Sequence, residues 1–337
     1  MKKTLLALSV LAAGSAQAGI NLYNANGVTV DLSGAAEVQY LQNIQDKDSN
    51  DDAGLHLDDG DLQINSTIAI NDQLNVVAGM GFAFEKTDVT NDKLFVGLAG
   101  DFGTLTFGRQ LYVSDAMGIG RDYELGFGQV DFVQTEGNEA IKYEYDNGQF
   151  YFGLTHDLDS DGSGASDFQN TDGTITDARL GARFGDLDVR GYYYTGDDIQ
   201  RSETNPSGTP VFNSGTDVDG FNLEANYAMG QFAFAASYGD LEYTSAKNSA
   251  NKSDVAVFEI NGAYTMGKNT FALGYNRADV SIDGAGAYLE EGVTDNVYAN
   301  VTHQLHSNVK VYGELGWADQ DGADLDLGYL VGMEVKF

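Results

Sequence analysis

The sequence predicts an all-β fold, a 16-stranded antiparallel transmembrane β-barrel, and three observations carry that expectation. Beyond residue 18, apolar side chains recur at every second position, the period of a strand with two different faces. Tight turns alternate with long polar connections. The phase opposite the apolar one is charged rather than merely polar.

The elements follow in chain order. MKKTLLALSVLAAGSAQA has a basic start at Lys2 and Lys3, an apolar core from Leu5 to Ala13 and a small end at Ala16 and Ala18. It reads as a secretory signal, residues 1–18, ahead of a barrel domain at 19–337. In VTVDLSGAAEVQY, Val28, Val30, Leu32, Ala36, Val38 and Tyr40 oppose Asp31, Ser33, Glu37 and Gln39. The pattern returns in Leu62 to Ile70, Leu74 to Phe84, and Leu94, Val96 and Leu98. Further segments lie near Thr104 to Phe107, at Ile141 to Tyr145, Phe150 to Leu154, Leu180 to Phe184, Leu187 to Tyr193 and Phe221 to Tyr227. The series closes with Phe232 to Tyr238, Ala256 to Tyr264, Phe271 to Tyr275, Val297 to Val301, Val309 to Trp317 and the terminal Leu325 to Phe337. That makes 16 segments, an even number as a single-chain antiparallel barrel needs.

Short connections such as Asn71-Asp72-Gln73, Gly185-Asp186 and Met229-Gly230-Gln231 alternate with NIQDKDSNDDAGLHLDDG, THDLDSDGSGASDFQNTDG, TGDDIQRSETNPSGTPVFNSGTDVDG and YTSAKNSANKSD. This alternation puts the long loops at one end of the strands. Half-buried alternation also occurs in soluble sandwiches and adhesins. The polar phase favours the barrel, because Lys142 and Glu144, Arg179 and Arg183, Asp188 and Arg190, and Lys310 and Glu314 suit a water-filled interior. Closure leaves no backbone edge unpaired in lipid. Strands of about 9 to 11 residues suffice to cross.

Composition narrows the function. Eighteen basic against 51 acidic residues, a formal charge of −33, argue against nucleic acid, whose binding is built on neutralising phosphate, and favour cations. No cysteine is present, so no disulfide or thiolate site supports the fold. No nucleophile with a supporting base forms a recognisable motif, so the reading is not an enzyme and calls for no cofactor. His56, His156, His303 and His306 are scattered and suggest no shared metal site. DKDSNDDAG and DSDGSG resemble calcium loops in composition but lack the closing Glu. Solvated acidic loops are the simpler reading; weak divalent cation association, bridging to lipopolysaccharide, is the alternative.

INLYNANGVTVDLSGAAEVQY, INDQL, KLFVGLAGDFGTLTFGRQ and the terminal Phe337, in that order, resemble the general outer-membrane porins of Gram-negative bacteria. The resemblance covers the whole chain after the signal. It implies a homotrimer in the outer membrane, among lipid and lipopolysaccharide, with one pore per subunit for small hydrophilic solutes and a third external loop folded inward to narrow it. The matching segment is about 111–138, which carries Met117, Ile119, Leu125, Phe127, Val130 and Phe132, apolar side chains that an inner barrel wall would receive. The family's acidic loop motif reads YELGFG here, without its proline. Glu124 takes the acidic position and Asp122 or Asp115 a neighbouring one, with Asp131 and Glu136 adding to the field.

Of four basic wall positions in the family, Lys93 alone is basic here; the first falls at Ala35 and the second near Asp61 or Gln63. The constriction should therefore be net negative and prefer cations. Arg179, Arg183 and Arg190 either replace the missing wall charges or are neutralised by Asp188 and residues of other strands. Arg109 shares parity with Leu105 and Phe107 and reads as structural, near a subunit interface, ahead of an eyelet or surface role. In the family such a terminal aromatic as Phe337 resembles the signal read by the outer-membrane assembly machinery. The alternative reading is a surface adhesin or receptor acting through its long acidic loops. A sugar-specific channel would need lumenal aromatics, for which Tyr192, Tyr194 and Tyr312 are the candidates.

Overall fold

A computed structural model describes residues 19–49, 52–85, 88–130, 132, 134–159, 173–204, 210–245, 248–284 and 291–337. The expected signal, residues 1–18, and Asp131 lie outside the described residues. The first strands are β1 (Ile20–Ala25), β2 (Val28–Gln42), β3 (Gly54–Leu57), β4 (Asp61–Asn71), β5 (Leu74–Ala83), β6 (Thr90–Gly100) and β7 (Gly103–Leu111). After a long connection come β8 (Glu136–Asp146), β9 (Phe150–Asp157), β10 (Thr174–Phe184), β11 (Leu187–Thr204), β12 (Pro210–Met229) and β13 (Phe232–Ser245). The last are β14 (Asn248–Met266), β15 (Asn269–Asp283), β16 (Gly292–His306), β17 (Val309–Gln320) and β18 (Gly328–Lys336).

These 18 segments fill 16 positions of one closed antiparallel ring. β1 pairs with β2 over Val28–Leu32 and β18 pairs with β2 over Ala35–Gln42, so the two chain ends share one position. At their junction Gly34 N donates to Phe337 O at 2.8 Å and Phe337 N to Gly34 O at 3.0 Å. On the other side of β2, β4 takes Val28–Gly34 and β3 takes Val38–Leu41, again one interrupted position. Glu37 and the bend at Asp58 and Asp59 exchange backbone bonds of 2.7 and 3.1 Å in the gap. Closure matters because an unpaired backbone group in lipid costs several kcal/mol.

The distribution of side chains is inverted relative to a water-soluble fold. Val96, Leu180 and Val331 are 57–67% exposed on the outer face, while Asn222, Glu259 and Asn276 are fully enclosed on the inner one. An apolar outside and a polar inside require lipid as the outer solvent. Among the described residues no helix is long and apolar enough to cross a membrane; the strands do so. Turns at the short end are set locally. Gly185 and Gly230 adopt φ of +63°, which β-carbon-bearing residues resist, and Asn147 Oδ1 accepts from Gln149 N at 3.0 Å and Phe150 N at 2.8 Å.

All four polar stretches expected to be loops contain strand, β9 running to Asp157 inside THDLDSDGSGASDFQNTDG. β3 and an Asp46–Leu325 bridge lie within or beside NIQDKDSNDDAGLHLDDG. β11 and β12 extend from either side into TGDDIQRSETNPSGTPVFNSGTDVDG, and β13 and β14 into YTSAKNSANKSD. β12 thus reaches 20 residues where about 11 were expected. Past the apolar band the outward positions turn polar, as Asp217 and Asp219 of β12 do, while Thr216 and Val218 stay buried on the inner face, so the outward apolar stripe that marks the other strands is missing there.

Candidate functional site

Described residues of the connection from β7 to β8, residues 112–135, bond to side chains of many strands. It begins with Tyr112, whose hydroxyl donates to the Asp157 carboxylate, and a single 3-10 turn, Val113–Ala116. Val113 N donates to Thr155 Oγ1 at 3.0 Å and Ser114 N to Asp177 Oδ2 at 2.6 Å. Tyr192 Oη then donates to Ala116 O at 2.8 Å, and Arg190 to Gly118 O at 2.8 Å. The segment continues across further strands. Glu224 accepts Gly118 N at 2.6 Å, Asn261 donates to Ile119 O at 2.8 Å, and Asn300 donates to Arg121 O at 2.6 Å.

The tightest grip is on residues 123–125. Glu314 accepts the backbone N–H groups of Tyr123, Glu124 and Leu125 at 2.7, 3.0 and 2.8 Å, and Asn300 Nδ2 at 2.9 Å. Asn296 donates to Leu125 O at 2.9 Å. Burying a carboxylate is costly unless its lone pairs are filled, and here convergent N–H groups fill them. Apolar contacts complete the attachment. Val130 and Phe132 pack among Ile175, Tyr194, Val218 and Leu241, and Leu125 against Tyr312 and Leu330. Tyr123 stacks on Tyr312 with centroids 3.5 Å apart.

The predicted site residues fall into separate groups. Glu124 accepts Gln39 Nε2 at 3.0 Å and lies with Asp58 and His56. Burial, with Asp58 nearby, pushes its carboxyl well above the usual range. Asp122 accepts Gly126 N at 3.2 Å, and burial beside Glu314 and Glu259 raises it likewise. Asp115 accepts the Thr135 hydroxyl at 3.4 Å; burial raises its carboxyl against the pull of Lys93 and Lys142. Lys93 Nζ is 3.9 Å from Asp92. Glu136 opens β8 opposite Leu111, away from the gripped stretch.

All three wall arginines are neutralised. Arg179 meets Glu144 at 3.1 Å, Arg183 meets Asp146 at 2.9 Å and Asp188 at 3.3 Å, and Arg190 pairs with Glu224. Arg109 lies opposite Leu94, an outward residue, and binds Asn138 at 2.6 Å and Asn91 at 2.8 Å. Phe337 lies over Gly34, where an added Cβ would stand 2.8 Å from its ring.

Sequence reading placed Glu314 in the interior without its role, and missed the other groups that hold the segment: Glu224, Asn261, Asn296 and Asn300. A signal for them exists. FNLE and EING place Asn and Glu two residues apart in the inward phase, and NVYAN places Asn296, Tyr298 and Asn300 at the same spacing, between apolar outward neighbours. It also missed the lumenal Tyr112, Tyr243 and Tyr298, and it left His56 isolated although the fold puts two carboxylates beside it.

A closed barrel with an apolar exterior and a polar, charged interior defines a channel protein of the outer membrane, open to water, solutes and ions. The family model described as Gram-negative porin matches residues 4–323, and this chain belongs to that family. It is 50% identical to porin-like protein H of Photobacterium profundum, over 100% of both chains. Against outer membrane protein U of Vibrio parahaemolyticus the identity is 27%, covering 83% of this chain and 81% of that one. Among solved structures it is similar to OmpT of Vibrio cholerae lacking loop L8, with a TM-score of 0.77, 19% identity, and 93% and 100% of the two chains covered. It is also similar to an anion-selective porin from Comamonas acidovorans, with a TM-score of 0.71, 15% identity, and 92% and 100% covered.

Proposed function

We propose that the chain is a passive, cation-preferring diffusion channel for small hydrophilic solutes, narrowed by residues 112–135 folded into its lumen. The observation that carries this reading is the charge balance around that segment. Glu124, Asp122 and Asp115 lie at separate points along it against Arg121 of the same segment, while Arg179, Arg183 and Arg190 are each matched by a carboxylate. Lys93 and Lys142 remain as the local cations near Asp115, and Lys142 itself lies 3.7 Å from Glu144. A negative field in a narrow, low-dielectric passage concentrates cations. The fold alone does not fix this sign, since a barrel of the same type in Comamonas acidovorans is described as anion-selective.

The adhesin alternative needs the apolar side chains of the loop exposed. Val113, Ile119, Leu125, Val130 and Phe132 are all buried, which favours permeation. Reversal potentials across a planar bilayer in a salt gradient test the reading: a potential of cation sign is expected, and an anion-selective one overturns it. The working unit in this proposal is a trimer in the outer membrane, with Arg109 bracing the wall near a subunit contact and Phe337 serving the assembly machinery after removal of residues 1–18. OmpT of Vibrio cholerae has been solved in a trimer form. Electrophoresis of unheated and heated samples tests the assembly, and monomer-only migration after gentle extraction counts against it.

A further inference from the structure

Among the described residues, His56, Asp58 and Glu124 bring one potential ligand atom each to within 4.8 Å of one another. They come from three places: His56 from β3, Asp58 from the bend after it, and Glu124 from the gripped stretch of the β7–β8 connection. His56 pairs in register with the inward Gln39, which puts it on the same face while Leu55 and Leu57 point outward. Conduction gives no use for an imidazole at this point.

We propose that His56, Asp58 and Glu124 form a binding site for a divalent first-row transition ion such as Zn2+, which ties residues 112–135 to β3. One imidazole and two carboxylates form a donor set that such ions take with an open fourth position. Calcium and magnesium instead require a larger shell of oxygens. The geometry is close: His56 Nε2 stands 3.6 Å from Asp58 Oδ1, against about 3.4 Å between neighbouring ligands of a tetrahedral ion with bonds near 2.1 Å.

A second observation points the same way. Gln39 is 1% exposed, holds the Glu124 carboxylate through Nε2 at 3.0 Å, and its Oε1 has no hydrogen-bond partner. A buried amide fixed on a carboxylate orients it as outer-shell partners orient metal ligands. Access is open, with the His56 side chain 47% and Asp58 29% exposed. The surrounding negative charge draws a cation in. Binding rests on these residues alone; its effect on conduction rests on the channel reading above, since the ion would cancel the field of Glu124 and hold the constriction in place.

The test uses the full folded chain in detergent, stripped with a chelator and titrated with Zn2+ alone. Saturable binding of one ion per chain is expected, weakened at least about tenfold by His56→Gln and by Glu124→Gln and unaffected by Asp101→Asn in a distant turn. Zn2+ should also slow tryptic cleavage after Arg121 in the parent chain and not in His56→Gln. Absence of saturable binding, or unchanged affinity in His56→Gln, overturns the proposal. Reversal potentials on metal-free protein report the channel reading separately: an anion-selective result with intact Zn2+ binding overturns that reading and supports this site.

Discussion

Glu314 and Leu315 are neighbours in β17 and live in opposite surroundings. Leu315 is 54% exposed on the outer face, where any apolar side chain of similar bulk meets the same lipid. Glu314 is 3% exposed on the inner face and has each oxygen assigned to named N–H groups. The outer face asks for a class of residue and the inner face for particular atoms. A period-two strand therefore carries two kinds of information, one redundant and one specific.

The largest expected break in this contrast is Glu314→Ala. It orphans the N–H groups of Tyr123, Glu124 and Leu125, and each buried donor left unpaired costs roughly 1–3 kcal/mol. Residues 112–135 should detach, read as a larger and noisier single-channel conductance and as rapid tryptic cleavage after Arg121. Next comes Val96→Lys on the outer face, expected to cost on the order of 2 kcal/mol through lipid exposure of a charge, measured as a lower unfolding midpoint with unchanged conductance. Val96→Leu should be silent in both measurements, which is the redundancy of that face.

Smaller effects sharpen the inner-face argument. Glu124→Gln with Asp122→Asn should lower the cation-to-anion permeability ratio by about twofold or more while conductance stays within the same range. Their carboxyls are raised by burial, so protons are taken up at higher pH than by a solvated carboxylate. The negative charge is present at high pH and is lost as pH falls. Reversal potentials taken in chelator from about pH 8 to about pH 5 should show cation preference declining before ordinary carboxylates titrate. The smallest effect belongs to Lys47→Ala. Its partner Asp324 is 77% exposed, and such surface pairs contribute about 0–1 kcal/mol, so stability should hardly change.

The same contrast explains what could be read in advance. Leu94, Val96 and Leu98 announced an outer face because lipid imposes one rule on every such residue. The ring of 16 positions follows from repeating that rule. The tall hairpins of β11 to β14 were invisible, since past the lipid band their outward positions turn polar and the outward apolar stripe stops, although Val218 and Tyr243 stay buried inside. The acidic character of YELGFG was legible, but its partners were not. Glu124 meets Gln39 85 positions away, and Glu314 meets Tyr123 191 positions away; no local pattern encodes either pairing. His56 was dismissed for lack of neighbouring histidines, when its neighbours are carboxylates brought by other elements.

The bond between Gly34 and Phe337 has a consequence for biogenesis. The ring is closed where β18 and Phe337 meet β2, so a chain lacking β18 has two open sheet edges. Such a chain would present unpaired strands to every other chain in transit. The seam where β18 and β1 meet β2 thus removes the strand edge on which another chain could otherwise pair.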